Sequence, residues 1–210
     1  MQSDDAISML MTMASMQEEH NAQVHPQWKE QGYEYYRAIW VECAEMLDHF
    51  GWKWWKNQEP DIDQVKLELV DIWHFALSEL IRSEQLHESL GAELANVEPI
   101  DSTPEIFREA IESLAISSLQ SRSFKMSDFT YAMRTLPMDL KELFALYVGK
   151  NVLNRFRQDH GYKEGSYRKL WAGREDNEHL IEILESISVE PEEMFDVLYQ
   201  QLEQRYSQEA

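Results

Sequence analysis

Glu42 and Glu45 stand three positions apart, as do Glu68 and Asp71, and both pairs interrupt stretches that are otherwise apolar. Residues at that spacing share a helix face, where like charges repel by about 0.2–0.5 kcal/mol. Two explanations are open: the carboxylates are solvated or salt-bridged at the surface, or a cation is meant to sit between them. Around the first pair runs the apolar stripe Ile39, Cys43, Met46, Leu47 and Phe50, with Glu42 on its shoulder three positions after Ile39. Around the second runs Val65, Leu69, Ile72, Ala76 and Leu80, with Glu68 three positions after Val65. Residues 65–81 are apolar nearly all round, the pattern of a buried helix. A buried carboxylate neutralises or finds a cation. Four such groups on matching shoulders would make a hard oxygen site that suits Mg²⁺ or Mn²⁺ better than zinc.

Cations follow later in the chain. The stripe Leu143, Leu146 and Tyr147 continues as Lys150, Asn154 and Arg157, at spacings of four and three. Either those stems snorkel to water, or the face is a phosphate clamp. Just beyond, Tyr162, Lys163, Tyr167, Arg168 and Lys169 offer a basic segment that could fold over an anion. Amides appear on the first stripe, where Ile7, Leu10 and Ala14 lead into Gln17 and Asn21. Helix–helix hydrogen bonding is one use for them; reading a base edge is another, since an amide carries a donor and an acceptor side by side. His74, three positions after Asp71, is either a structural histidine or a partner in that reading. Trp52, Trp54 and Trp55 read most simply as core or interface packing, one of them lining the pocket. Together these groups suit metal-assisted attack of water on a phosphoric anhydride.

The elements that must hold these residues are helices. The pattern predicts them over about 4–23, 34–50, 63–83 (extending toward Gly91), 104–119, 138–160, 175–187 and 190–206, the last two separated around Ser188. Residues 96–104 read as a connection, and 120–137 leave room for a short helix. No strand alternation is evident, so the fold class is all-α, a multi-helix bundle within one domain over 1–210 with a less constrained, mobile segment at about 90–137. The 210 residues suffice for one good-sized core, and 43% hydrophobic content is that of a folded chain.

A formal charge of −20 argues against nucleic acid and anionic membranes as partners. There is neither an 18-residue apolar run nor a basic-then-apolar start, and the single cysteine, Cys43, sits among apolar residues as a packed thiol. A cytoplasmic protein is expected. No GxxxxGK[ST] or GxGxxG is present, so phosphates are not bound by either glycine-rich loop.

Four segments carry a resemblance: MQEEHN (Met16–Asn21), ECAEMLDHFGWKWWK (Glu42–Lys56), ELVDIWHF (Glu68–Phe75) and YVGKNVLNRFRQDHGYKEGSYRK (Tyr147–Lys169). With them the chain resembles the dimeric all-α dUTPases, relatives of the MazG-like all-α NTP pyrophosphatases. The paired acids alone point only to the superfamily; WHF and the K-x3-N-x2-RQ-x3-GYK-x-G-x-Y stretch point to the dUTPase branch. The resemblance implies hydrolysis of dUTP and dUDP to dUMP, with Mg²⁺ at Glu42, Glu45, Glu68 and Asp71. It implies water attack at the β-phosphorus, with Glu45 as general base and Glu42 second. By the same resemblance Gln17, Asn21 and His74 contact uracil and Phe75 lies near the deoxyribose. Lys150, Asn154, Arg157, Tyr162, Lys163 and Lys169 fall among the sugar and phosphate contacts. A homodimer is implied, in which Trp55 or Lys53 serves either subunit's pocket. His20 departs from the pattern, standing where an apolar residue is more usual. Two alternatives remain at this point: a related pyrophosphatase for another base, such as dCTP, or a non-catalytic helical interaction domain.

Overall fold

In the computed structural model, which describes residues 3–187 and 191–207, the chain divides into two compact units, 1–144 and 145–210. The first contains α1 (Ser3–Val24), α2 (Tyr35–Phe50), α3 (Ile62–Arg82), α4 (Ser89–Ala95), α5 (Pro104–Ser121) and α6 (Met126–Thr135). α7 (Leu140–Asp159) begins in the first unit and continues into the second. There it is followed by a hairpin of β1 (Leu170–Trp171) and β2 (Arg174–Glu175), then α8 (Asp176–Ser186) and α9 (Pro191–Ser207).

α3 is the axis of the first unit. From Gln64 to Leu80 nearly every side chain is buried, as its all-round apolar sequence requires. Asp61 caps its start by accepting a hydrogen bond from the Gln64 backbone N–H, so the Pro60–Asp61 turn becomes the helix entry. α2 and α1 pack on α3, and α5 packs on α2. Trp73 of α3 stacks on Phe129 of α6 with centroids 5.0 Å apart, a pairing worth about 0.5–1.5 kcal/mol beyond its buried area. α2 ends at Gly51, whose φ of +93° lets the chain turn sharply back toward α3. Arg108 of α5 then fixes that turn by donating from Nε and Nη2 to the Gly51 carbonyl at 3.2 and 2.9 Å.

The second unit builds an aromatic core. Phe156 of α7 meets Trp171, Tyr199 and Tyr206 edge-on, at 5.8, 5.4 and 5.4 Å. Its α8 opens with a capping box between Glu175 and Glu178.

Two expectations need correction. Gly91 does not end a helix; it lies inside the separate helix α4, packed against α1. A Cβ there would meet the Ala6 carbonyl oxygen and the Ile7 backbone at 3.2 Å, so a small residue serves close helix contact. The Gly-rich segment after α7 does contain strands. They are two residues long, too short to show alternation, and join through Ala172 and Gly173, both at positive φ as such tight hairpins require. Residues 90–137 include most of α4 and all of α5 and α6. The expected break at Ser188 lies outside the described residues.

Candidate active site

Glu42 on α2, with Glu68 and Asp71 on α3, converge so that one carboxylate oxygen from each lies within 4.8 Å of the others. The geometry follows from the stripes: α2 and α3 bury their apolar faces against each other, and the acidic shoulders meet at the seam. Glu68 is buried, and Glu42 and Asp71 are half-buried. Burial, reinforced by Asp71, Glu68 and Glu45, pushes the Glu42 carboxyl up to about 9. Glu42 also hydrogen-bonds Glu68, which between two carboxyl groups requires a proton. His49 also approaches Glu68, its Nε2 3.4 Å from Oε1. Glu45 is exposed at the rim and acts on Glu42 through its charge. Three convergent carboxylates are a hard oxygen donor set, the chemistry that fits a hard divalent cation. Cys43, beside them, is inert: burial and then the Glu42 charge push its thiol up to about 12.

Gln17 and Asn21 are buried, and they meet His74 of α3 in one network. Gln17 Nε2 donates to Asn21 Oδ1 at 3.1 Å and to Ser78 Oγ at 3.0 Å. Asn21 Nδ2 donates to Ser78 Oγ at 2.9 Å, and Ser78 in turn donates to the His74 carbonyl at 2.9 Å. His74 Nδ1 lies 2.7 Å from Gln17 Oε1. Since that oxygen can only accept, Nδ1 carries the proton. Tyr35, half-buried, stands beside Ser78. Ser78 and Tyr35 were not among the candidates. A signal for Ser78 existed: Asp71, His74 and Ser78 are spaced three and four, a polar ridge on an otherwise apolar helix. Phe75, next to His74, is half-buried.

The tryptophans are not core. Trp54 is 88% exposed, and Trp52 and Trp55 are also exposed. They follow Gly51 in the link between α2 and α3, where the chain runs over the surface, and pack edge-on with Trp55 5.3 Å from each of the other two. With Lys53, Gln58 and Arg108 they line an open groove.

In the second unit the cationic face of α7 is turned onto the start of α8. Arg157 donates from Nε and Nη2 to Asp176, both at 2.8 Å, and from Nη1 to Asn154 Oδ1 at 3.1 Å. Lys150 is buried rather than snorkelling, and its Nζ donates to Asn177 Oδ1 at 3.1 Å. Asp176 is fully buried and accepts a third bond from the Tyr167 hydroxyl at 2.8 Å. Burial pushes its carboxyl up, but Arg157 and then Tyr167 outweigh that and hold it below the usual range. Neither Asp176 nor Asn177 was a candidate; the sole hint was their place at a helix start, in GREDN. Of the basic segment, Tyr167 and Arg168 are tied back to this unit, Tyr167 stacking on Tyr206 and Arg168 lying over the same ring. Tyr162, Lys163 and Lys169 are exposed, Lys169 pairing with Glu175 at 3.0 Å.

Helices that bring carboxylates to one seam, beside a buried amide–imidazole network, define an all-α protein with an acidic cluster that could hold a metal ion. The chain belongs to the all-α dUTPase family: the family model, described as dUTPase, matches residues 9–162. Its activity is therefore hydrolysis of dUTP, as a dUTP diphosphatase, and the expectation of a non-catalytic interaction domain is set aside. The match takes in the acidic cluster, the amide network and α7, while α8, with Asp176 and Asn177, lies outside it. No curated protein matches the chain. Among the described residues, no helix is long and apolar enough to cross a membrane.

Proposed function

We propose that the chain hydrolyses dUTP, and also dUDP, to dUMP in a Mg²⁺-dependent reaction at Glu42, Glu45, Glu68 and Asp71. The observation that carries this reading is the convergence of Glu42, Glu68 and Asp71 within 4.8 Å. When bound there, Mg²⁺ would polarise phosphoryl oxygens and make water more acidic. Glu42, Glu68 and Asp71 hold the cation. Glu45, exposed at the rim, is free to rotate toward water and accept its proton as that water attacks the β-phosphorus. Breaking the bond between the β-phosphorus and the α–β bridging oxygen releases dUMP from either nucleotide, with pyrophosphate from dUTP and phosphate from dUDP. Gln17, Asn21 and His74 read uracil, and Phe75 packs against the deoxyribose. Lys150, Asn154, Arg157, Tyr162, Lys163 and Lys169 supply the donors and charges that a sugar and a polyphosphate need.

The same reading makes the protein a cytoplasmic homodimer that binds no nucleic acid. Exposed Trp40 and Val41 on α2, and exposed Trp52, Trp54 and Trp55 after it, give it apolar surface of the sort that interfaces use. Trp55 would then line a subunit's pocket.

Pyrophosphate release from dUTP, UTP, dCTP and dTTP, with Mg²⁺ and with chelator, tests the proposal. Turnover of dUTP well above the other three, abolished by chelator, is expected. Equal turnover of dCTP would remove the uracil assignment and leave a pyrophosphatase of another base preference; turnover in chelator would remove the metal.

A further inference from the structure

We infer that Ser78 is a specificity-determining residue, the group that fixes which way the Gln17 and Asn21 amides point and so makes the site read uracil rather than cytosine. The inference rests on the dUTPase reading above and adds to it a residue that touches the base readers rather than the base.

Donors and acceptors decide how the amides turn. A serine hydroxyl has one proton and two lone pairs. The Ser78 proton goes to the His74 carbonyl, which can only accept. Toward the amides Ser78 therefore offers lone pairs alone. Gln17 and Asn21 must both turn their NH₂ groups to it, and both do, at 3.0 and 2.9 Å. Every other bond in the network follows from that choice. With Nε2 on Ser78, Gln17 aims Oε1 at His74 Nδ1, which fixes the imidazole tautomer. The second Nε2 proton goes to Asn21 Oδ1. Ser78 is 1% exposed, so water cannot replace it in this role.

Amide orientation matters because uracil and cytosine differ by an exchange of donor and acceptor. Uracil presents a ring N–H flanked by carbonyl oxygens; cytosine presents a ring nitrogen acceptor beside an amino donor. Turning an Asn or Gln amide by half a revolution swaps its oxygen and nitrogen and converts one reading pattern into the other. An amide free to turn accommodates both bases. One held by an acceptor-only neighbour accommodates one, and the wrong base leaves buried polar groups unmet.

The test compares Ser78→Ala, Ser78→Thr and Ser78→Val with the natural protein. Thr and Val have the same shape and differ in the hydroxyl, so that pair decides the matter even where Ser78→Ala fails to fold. The readouts are kcat and KM for dUTP and dCTP, and calorimetric binding of dUMP and dCMP. In Ser78→Ala and Ser78→Val the preference for dUTP over dCTP should narrow by roughly tenfold or more, through a raised KM for dUTP. The Mg²⁺ dependence of kcat should be unchanged, and Ser78→Thr should keep the preference. The proposal is overturned if Ser78→Val, folded, discriminates within about twofold of Ser78→Thr. It is equally overturned if kcat and its Mg²⁺ dependence fall while the preference stands. A natural protein that turns over dUTP and dCTP alike would instead remove the uracil reading itself.

Discussion

Glu42 and Asp176 are both carboxylates withdrawn from water, and the protein treats them in opposite ways. At Glu42, burial and the charges of Asp71, Glu68 and Glu45 all act in one direction and push the carboxyl up to about 9. At Asp176 burial is complete and acts in that direction too, yet two bonds from Arg157 and one from Tyr167 bring the group below its usual range. Burial alone therefore does not mark a functional acid. The sign of the neighbours separates the two: Asp176 is given a guanidinium that keeps it ionised, and Glu42 is given further carboxylates, the arrangement of a candidate cation site.

The largest effect should come from the acid that belongs to neither class. Glu45 is exposed, yet its charge is felt at Glu42. If it takes the proton of the attacking water, Glu45→Gln should lower kcat for dUTP by about 10²–10⁴-fold while Mg²⁺ still binds. Steady-state kinetics alongside calorimetric titration of Mg²⁺ separates the two. Should metal affinity collapse together with kcat, Glu45 is a fourth ligand, and the rim must be counted with the buried cluster.

Next in size is Asp176. Removing one partner of a buried pair leaves the other charge in a poor environment, so Asp176→Ala should cost about 3 kcal/mol of stability in denaturant unfolding. The pH dependence has a definite sign. The folded value is depressed, so the contribution of Asp176 is fully present above its ordinary value near 3.8 and is lost as pH falls through the folded value. Mg²⁺ affinity at the acidic cluster should be untouched. A cost under about 1 kcal/mol would mean that the pair only breaks even against its own desolvation.

The two regions were not equally legible in the sequence. Glu42, Glu68 and Asp71 could be placed because helix period is a local signal: the stripes on 39–50 and 65–80 fix the shoulders, and two helices that bury their stripes together must bring the shoulders together. The cationic character of α7 was readable for the same reason. What Lys150 and Arg157 point at was not, because Asn177 and Asp176 arrive from beyond a hairpin whose strands are two residues long. The tryptophans of 52–55 misled in another way. Their apolarity argued for the core or an interface, and the core is ruled out because the chain there is a link after Gly51, and a link runs over the surface. Ser78 was passed over because one hydroxyl in an apolar helix reads as a satisfied back-bond to the preceding turn, which it also makes, to the His74 carbonyl. α4 was lost because Gly91 reads as a terminator unless the backbone of α1 is known to lie against it.

The smallest of these effects reports most directly on how the cluster meets its cation. With Glu42 pushed up to about 9, the metal-free protein carries a proton there at neutral pH, while a carboxylate must be ionised to bind a cation. Mg²⁺ uptake should therefore release a proton, and affinity should climb with pH by at most about tenfold per unit between the ordinary carboxyl value and about 9. Stability without metal should move the other way. A raised folded value gives stability that is fully present below the ordinary 4.5 and is lost as pH rises toward about 9, because ionisation then sets three or four like charges against one another. Saturating Mg²⁺ should flatten that slope, since the bound cluster is ionised in the folded state as Glu42 is in the unfolded one. Titration of Mg²⁺ near neutral pH in two buffers of different ionisation enthalpy measures the proton, and melting curves with and without Mg²⁺ across the same range measure the slopes. An affinity flat with pH and a proton count of zero would show that Glu42 is already ionised, and the contrast with Asp176 would then rest on geometry alone.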